Sequence, residues 1–261
     1  MNAPVRLSLV IPAHNEELRL EPTLHTYCRY FRRLYGDEYE IIVVANACVD
    51  RTAALARELA RSYPEITVIE EKHRVGKGGA LLIGFDRARG DIIGFVDADG
   101  STPPEAFHEL VRQLDGADIV IASRWRPDSV VEPPQPWKRR VASRVFNRLV
   151  RLLFGLRLTD TQCGAKVFKR SAFLRVRPDL GLTRWAFDVD LLYQFRRHGF
   201  RIREIATVWR DVAGSKLNLH RAVIEMALAI TRLRLLYSPF RFVVKLYDMT
   251  LGKIINLERF F

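Results

Sequence analysis

Short runs rich in valine and isoleucine alternate with longer amphipathic segments over roughly the first 120 residues of the chain. Runs that are apolar on both faces are typical of buried parallel strands, and helical spacing of apolar residues is typical of the helices that connect them. The predicted strands are Leu7–Ile11, Glu40–Val44, Ile66–Ile69, Asp91–Val96 and Asp118–Ala122. The predicted helices are Glu17–Leu34, Asp50–Ser62, Gly79–Ala88 and Pro104–Leu114. This alternation predicts an α/β fold with a doubly wound, mostly parallel sheet, whose ligand site lies beyond the carboxyl ends of the strands.

The pattern changes after Ala122. Four prolines interrupt Pro127–Trp137, which predicts a loop or lid. A helix with a cationic stripe then follows, a mixed segment covers Thr159–Phe168, and the pattern predicts a helix at Phe187–His198 and a strand at Arg201–Val208. The stripe consists of Arg140, Arg144, Arg148 and Arg151.

The last forty or so residues predict two more helices, Leu219–Leu236 and Pro239–Arg259, of which the second has a broad apolar face. That face could pack on the domain or on a dimer partner, and it could equally lie in a membrane interface. We therefore expect one domain over 1–217 and an amphipathic extension over 218–261. No uncharged apolar window is long enough to span a bilayer and no signal peptide is visible, so we expect a cytoplasmic protein that contacts the membrane peripherally.

Charge is distributed unevenly along the chain, whose net charge is +12. Residues 1–123 hold 14 basic and 19 acidic groups, whereas residues 124–261 hold 28 and 11. The excess in the second part predicts a polyanionic partner, which could be nucleic acid, an anionic membrane or a phosphorylated substrate. The three cysteines, Cys28, Cys48 and Cys163, have no metal-ligand spacing and indicate neither a zinc site nor a disulfide scaffold.

Two segments carry candidate chemistry. Asp97-Ala98-Asp99 follows the fourth predicted strand, and two carboxylates at a strand end can hold a divalent cation together with a diphosphate. The glycine-rich segment Lys72–Gly79 leads into a helix and carries Lys77, which suits a phosphate group. A simple helix-entry turn would have the same composition. For this second segment, phosphate binding and a purely structural role therefore both stay open.

Eight motifs together resemble the family 2 glycosyltransferases of GT-A fold. Their order and spacing over about residues 5–217 match the branch that glycosylates polyprenyl phosphates, closest to the dolichyl-phosphate β-glucosyltransferases and next to the dolichyl-phosphate mannose synthases. The motifs are Val10–Glu17, Asp50–Thr52, Gly76–Leu81, Asp97–Gly100, Ala122–Arg124, Asp160–Lys166, Arg184–Asp190 and Gly214–Leu217.

The resemblance implies roles for individual residues. Those expected to bind the nucleotide sugar are Pro12, Ala13, Asn15, Glu16, Asn46, Lys77, Asp97 and Gln162. Asp97 and Asp99 are expected to hold Mg²⁺ or Mn²⁺. Those expected to bind the acceptor phosphate are Arg124, Arg139, Ser143 and Arg210. Asp99, Asp188 and Arg124 are expected to be catalytic, so 1–123 would be the donor half and 124–217 the acceptor half.

The implied reaction is inverting transfer of a hexose to a polyprenyl phosphate, with UDP-glucose favoured as donor and GDP-mannose as the alternative. A family 2 transferase with a soluble or polysaccharide acceptor is a second alternative. A basic nucleic-acid-binding protein is disfavoured because residues 124–261 lack any recognition motif. One departure affects the donor: Asn46 stands where the family usually has an aspartate, and an amide leaves the choice of base open.

Overall fold

The structure, a computed structural model, describes residues 4–181, 186–210, 219–242 and 244, and for 219–224 it describes the main chain alone. The strands are β1 (Leu7–Ala13), β2 (Tyr39–Asn46), β3 (Ile66–Glu71), β4 (Ile92–Val96), β5 (Ile119–Ser123), β6 (Val130–Glu132), β7 (Ala165–Lys169), β8 (Ile202–Ala206) and β9 (Val208–Arg210). The helices are α1 (Leu20–Tyr35), α2 (Thr52–Ser62), α3 (Gly76–Arg87), α4 (Pro104–Arg112), α5 (Trp137–Phe154), α6 (Arg170–Val176), α7 (Phe187–Arg197) and α8 (Leu219–Leu236), with a 3-10 turn at Arg177–Asp179.

Seven strands form one sheet in the order β3-β2-β1-β4-β7-β5-β8, and β6 pairs with β9 in a separate two-stranded ribbon. Every pairing in the large sheet is parallel except those of β7, which runs antiparallel to β4 and β5. The strand order reverses between β1 and β4, and ligands of open α/β sheets bind at such a reversal. The predicted fold class, a mostly parallel doubly wound sheet, is confirmed.

Helices cover both faces of the sheet and enclose two apolar cores. Side chains of α1, α2 and α4 pack on one face, and side chains of α3, α5, α6, α7 and α8 pack on the other. Successive side chains of a strand point to opposite faces of the sheet and so enter different cores. In β1, Leu9 and Ile11 lie in the first core and Val10 lies in the second. This three-layer packing leaves the strand ends as the place where polar side chains can gather.

Several predicted boundaries were wrong for identifiable reasons. Helix α3 begins at Gly76 rather than Gly79, because Gly76 takes a φ of 72° and turns the chain into the helix. The predicted loop Pro127–Trp137 contains β6, and the predicted strand Arg201–Val208 is two strands. The reason is that the chain leaves the large sheet after Ala206 so that β9 can pair with β6.

The predicted terminal helices have different outcomes. Helix α8 is present, and its Ile230 and Leu233 are buried in the same core as α5. Of the second predicted helix, only residues 239–242 and 244 are described, so its contact with membrane or with a dimer partner stays a prediction. Within the described part of the chain, no helix has the length and apolar character needed to cross a bilayer.

Candidate active site

The polar segments after three parallel strands meet at one edge of the sheet. β1, β2 and β4 are neighbours and run in the same direction, so the residues after Ala13, Asn46 and Val96 lie side by side. β7 runs the other way, and its first residue Ala165 pairs with Val96. The segment that precedes β7 is thereby brought to the same edge, next to Asp97.

Asp97 lies between a lysine and a glycine. Lys77 Nζ lies 2.5 Å from Asp97 Oδ1, and about a third of each side chain remains exposed. On the other side of Asp97, Gly164 approaches so closely that a Cβ on it would overlap the carboxylate. A residue with any side chain at 164 would therefore displace Asp97. Lys77 and Asp97, both expected from the resemblance to bind the nucleotide sugar, are thus in direct contact.

A second ion pair lies beneath the first and is almost fully buried. Lys166 has no exposed surface, and its Nζ donates to Asp188 Oδ1 at 2.5 Å and to the carbonyl oxygen of Cys163 at 2.9 Å. The ring of Phe95 is shared by the two lysines, with Lys77 Nζ 5.5 Å and Lys166 Nζ 5.2 Å from its centroid. Asp188 lies in the first turn of α7, where the helix dipole also favours a negative charge.

The carboxylates of this edge repel one another. Burial raises the pKa of Asp97, and Asp99 and Asp188 raise it further, whereas Lys77 lowers it. Burial likewise raises the pKa of Glu16, with smaller contributions in the same direction from Asp99 and Asp97. Burial lowers the pKa of Lys77, but the carboxylates outweigh burial, so its pKa lies above the usual value and the ammonium stays charged. The edge therefore favours bound cations.

Asp99 and Ser101 form a turn that fixes the acidic segment. The Ser101 backbone N–H donates to Asp99 Oδ1 at 2.9 Å, and the Ser101 carbonyl accepts from the Arg210 N–H at 2.8 Å. Within the described residues, no three histidine, cysteine, aspartate or glutamate side chains cluster closely enough to hold a metal ion. Asp97 and Asp99 could supply two ligands, and other oxygen atoms would have to supply the rest.

The predicted donor loop after β1 is strained and well anchored. Asn15 has a φ of 57°, in the left-handed region, and its Oδ1 accepts from the Val49 N–H at 2.9 Å. The Glu16 N–H donates to Thr52 Oγ1 at 2.7 Å, and Asp50 accepts from the Thr52 hydroxyl. Such strain persists where surrounding contacts determine the backbone, as is common at binding sites. The loop carries Asn15 and Glu16 and directly follows Pro12 and Ala13 in β1.

Asn46 contributes to the site in a way the sequence did not predict. It is 4% exposed, and its amide donates to the His73 carbonyl at 2.7 Å and accepts from the Gly76 N–H at 3.1 Å. The side chain thus fastens the end of β2 to the start of α3. Its direct contact with a base stays a prediction, whereas its role in placing the segment that carries Lys77 is a finding.

A buried arginine marks the border of the predicted acceptor half. Arg124 forms a two-pronged ion pair with Asp160, with Nε to Oδ2 at 2.7 Å and Nη2 to Oδ1 at 3.0 Å. Asp160 has no exposed surface, and 10% of the Arg124 side chain is exposed. The guanidinium also lies 5.1 Å from the centroid of the buried Trp209 ring. Arg124 is therefore held rigidly, and Asp160 already balances most of its charge.

The other predicted acceptor residues lie on α5 and β9. Arg139 and Ser143 are half-buried residues of α5, and Ser143 Oγ accepts from Trp125 Nε1 at 3.1 Å. Arg210 ends β9 with an exposed side chain, beside the Asp99 turn. Gln162 is half-buried between Asp160 and Gly164. Residues 184, 185 and 214–217 of two motifs lie outside the described residues.

The Asp160–Arg124 pair predicts a pH-dependent stability. Burial raises the pKa of Asp160, but Arg124 outweighs burial, and the pKa lies below the usual range. A depressed pKa contributes stability above the ordinary aspartate value of about 3.9, and this is lost as the pH falls further. Asp160→Asn is expected to lower the free energy of unfolding at pH 7 by about 3–5 kcal/mol, because it leaves Arg124 unpaired.

Denaturant unfolding at about pH 7, 4 and 2.5 measures the difference in free energy of unfolding between the variant and the wild type, which should stay nearly constant down to about pH 4 and narrow below it. Asp115→Asn, at an exposed position, is the control and should change stability by less than about 0.5 kcal/mol at each pH. A difference for Asp160→Asn that does not depend on pH would contradict this account of the pair.

The family model "Glycosyl transferase family 2" matches residues 8–177, which include Asp97, Asp99, Lys77 and Arg124. The chain belongs to glycosyltransferase family 2. Among curated proteins, this glycosyltransferase is 36% identical over 233 residues to glycosyltransferase AglD of Haloferax volcanii. That alignment covers 88% of the chain and 37% of AglD, so the chain spans little more than a third of that relative.

Two further relatives carry the name dolichyl-phosphate beta-glucosyltransferase. The protein from Dictyostelium discoideum is 32% identical and the alignment covers 89% of this chain and 75% of that protein. The Homo sapiens protein is 32% identical, with coverage of 90% and 78%. Recognition of this family and branch from the sequence motifs is therefore confirmed.

Solved structures share the fold of this family 2 glycosyltransferase. Glucosyl-3-phosphoglycerate synthase from Mycobacterium tuberculosis, in complex with Mn²⁺, UDP-glucose and phosphoglyceric acid, matches with a TM-score of 0.64 at 20% identity. The match covers 87% of this chain and 78% of that one. It confirms the GT-A fold predicted from the sequence.

Several site residues of this glycosyltransferase escaped the sequence analysis. Gly164 and Lys166 lie in the Asp160–Lys166 motif, but the resemblance implies no role for them, and it implies none for Trp125 and Trp209. A lysine inside an otherwise apolar strand, as in Ala165–Lys169, is the signal that could have identified Lys166 as paired and buried. Nothing in the local sequence marks Trp209, whose contact with Arg124 joins residues far apart in the chain.

Proposed function

We propose that this chain transfers glucose from UDP-glucose to the phosphate of a polyprenol and forms a β-linked product. The observation that carries the proposal is the hydrogen bond from the Arg210 N–H to the Ser101 carbonyl. It fastens an arginine-bearing strand to the acidic Asp97–Asp99 segment, so a donor diphosphate and an anionic acceptor would meet at one place. The relatives named dolichyl-phosphate beta-glucosyltransferase support this substrate class.

The acceptor itself supplies the nucleophile. A phosphate monoester is already an anion at neutral pH, so its oxygen can attack the anomeric carbon of glucose without a general base. The new carbon–oxygen bond forms on the face of the sugar opposite the bond to UDP. As it forms, the bond between the anomeric carbon and UDP breaks, and UDP leaves with the bonding electrons. Attack from that face inverts the α-linked donor to a β-linked product. The protein has to align two anions and offset their charge.

Arginines suit the acceptor phosphate because a guanidinium binds two oxygens at once and stays protonated. We assign this task to Arg139 and Arg210, with Ser143 as a neutral hydrogen-bonding group. Arg124 would present its remaining N–H groups, because Asp160 holds it in one orientation. A rigid guanidinium loses less conformational freedom on binding, which favours a fixed phosphate position.

The donor diphosphate would lie against Asp97, Asp99 and Lys77. Burial raises the pKa of Asp97, and the nearby carboxylates of Asp99 and Asp188 raise it further. Such crowding of carboxylates fits a divalent cation. We propose that Asp97 and Asp99 hold Mg²⁺ or Mn²⁺, which would supply Lewis-acid stabilisation of the departing diphosphate. The Mn²⁺ and UDP-glucose complex of the M. tuberculosis protein supports this choice. Lys77 would offset further charge on the same group.

Asp188 is placed to accept a hydrogen bond from a hydroxyl group of the donor glucose. Its carboxylate accepts a hydrogen bond from Lys166 and its side chain is 11% exposed, so its orientation is fixed. A fixed acceptor of this kind can hold a glucose hydroxyl and so set the anomeric carbon in line with the incoming phosphate.

UDP-glucose can be separated from GDP-mannose by thermal stabilisation. A donor that binds the folded protein raises its melting temperature. We expect UDP-glucose with Mn²⁺ to raise it by a few degrees, and GDP-mannose to have a smaller effect at the same concentration. Selective stabilisation by GDP-mannose would replace the proposed donor with the alternative one.

Arg139→Ala is expected to weaken use of the acceptor with little effect on use of the donor. Loss of one charge-assisted contact should raise KM for a short-chain polyprenyl phosphate by about tenfold or more. KM for UDP-glucose should stay within about twofold of the wild-type value. Arg61→Ala, at an exposed position of α2, is the matched control. The assay counts labelled glucose that enters the organic phase, and an unchanged acceptor KM would remove Arg139 from the site.

A further inference from the structure

One face of α5 exposes a row of apolar side chains. Trp137, Val141, Val145 and Leu152 are 69%, 51%, 62% and 81% exposed. The first three are spaced by four residues and Leu152 follows after seven, so all four lie on one side of the helix. The opposite side packs into the core through Phe146, Val150 and Phe154. We call the exposed row the α5 stripe.

Positive charge surrounds the α5 stripe. The 18 residues of α5 include one lysine and five arginines and no acidic residue. Arg140, Arg144 and Arg151 follow one edge of the stripe at helical spacing, and all are exposed. An exposed apolar row flanked by basic residues is typical of a helix that lies in the plane of an anionic membrane surface.

The same helix carries residues of the proposed acceptor site. Ser143 accepts a hydrogen bond from Trp125, and the Arg144 guanidinium lies 5.7 Å from the centroid of the Trp125 ring. Trp125 directly follows Arg124, and Arg139 is on the first turn of α5. Any surface that binds the exposed side of α5 would therefore lie close to the place where the acceptor phosphate would bind.

We propose that the α5 stripe docks on an anionic lipid bilayer, with Trp137 and its apolar neighbours among the headgroups and the arginines on lipid phosphates. The role in acceptor delivery rests on the proposed function, whereas the docking itself does not. Two copies of α5 facing each other would set six positive charges against six, which opposes a dimer through this face. A nucleic acid would satisfy the arginines but would leave the apolar stripe in water.

Vesicle flotation of the full chain tests the docking without donor or acceptor. We expect binding to vesicles of phosphatidylcholine with about a third phosphatidylglycerol, weaker binding to phosphatidylcholine alone, and loss of binding as salt rises toward about 0.5 M. Val141→Asp/Val145→Asp is expected to lower the partition coefficient by at least about tenfold, because it places charges in the stripe. Quenching of tryptophan fluorescence by brominated lipid should fall in Trp137→Phe.

The control places the same substitution on exposed leucines elsewhere. Leu34 of α1 and Leu174 of α6 are 50% and 52% exposed, and Leu34→Asp/Leu174→Asp should bind vesicles as the wild type does. If both double variants bind equally well, the docking proposal is wrong. A wild type that sediments as a dimer, with the α5 variant a monomer, would also overturn it.

Activity separates this proposal from the proposed function. The α5 variant should transfer glucose to a short-chain acceptor in solution at the wild-type rate and lose at least about tenfold with a long-chain acceptor in vesicles. A wild type that binds vesicles but transfers no sugar would contradict the proposed function and leave the docking intact. Equal activity of variant and wild type on vesicles would overturn the role in acceptor delivery.

Discussion

Replacing Asp99 by alanine is expected to lower kcat by about three orders of magnitude or more. The substitution removes one of the two carboxylates that we assign to the divalent cation, so the cation would bind more weakly and stabilise the leaving diphosphate less. It also removes the acceptor of the Ser101 N–H, which holds the turn beside Arg210. Steady-state transfer of labelled glucose to a short polyprenyl phosphate measures the effect.

The control for Asp99→Ala has to show that the fold survives. Asp99 is half-buried, and loss of its one hydrogen bond to Ser101 should cost about 1 kcal/mol of stability. Asp115→Ala, at an exposed site near the opposite edge of the sheet, should keep full turnover. Wild-type turnover by a folded Asp99→Ala protein would remove the metal assignment.

Lys166→Met is expected to lower the free energy of unfolding by about 3–5 kcal/mol. The side chain of Lys166 has no exposed surface, and its removal leaves the Asp188 carboxylate and the Cys163 carbonyl without their shared donor. Turnover should fall as well, because Asp188 would lose the partner that fixes its orientation. Denaturant unfolding and the transfer assay report the two effects separately.

A second substitution distinguishes charge from packing at this pair. Lys166→Met/Asp188→Asn removes both charges and should recover most of the lost stability while turnover stays low. Lys169→Met on the same strand is the matched control, since Lys169 is 43% exposed and its ion pair with Asp118 should contribute under about 1 kcal/mol. Lys166→Met that is no more destabilising than Lys169→Met would contradict the account of the buried pair.

The sequence predicts the parallel core of the fold well because its strands are buried on both faces. Continuous apolar runs such as Leu7–Ile11 have few alternative structures, and the helices between them follow from amphipathic spacing. β7 escaped because Ala165–Lys169 contains two lysines and enters the sheet antiparallel, between two strands that precede it in the chain. The β6–β9 pairing escaped because both strands have three residues and their partners are distant in sequence.

Site residues could be predicted where their position in a motif determines their role. Asp97 and Asp99 follow a strand end, so local pattern alone places them at the sheet edge. Lys166 and Asn46 act through partners contributed by other elements, which a linear pattern does not contain. The contacts of Asn46 with His73 and Gly76 show that a residue predicted to bind the donor also shapes this edge of the sheet.

The structure of the lipid product tests the central claim most directly. Purified chain would be incubated with Mn²⁺, a short polyprenyl phosphate, and UDP-glucose and GDP-mannose in equal amounts, and the extracted lipid analysed by mass spectrometry and NMR. The account predicts one glucose on the phosphate oxygen in β linkage. It predicts no product when unphosphorylated polyprenol is supplied in place of polyprenyl phosphate. No glycosylated lipid, an α linkage, or equal transfer to the neutral polyprenol would contradict it.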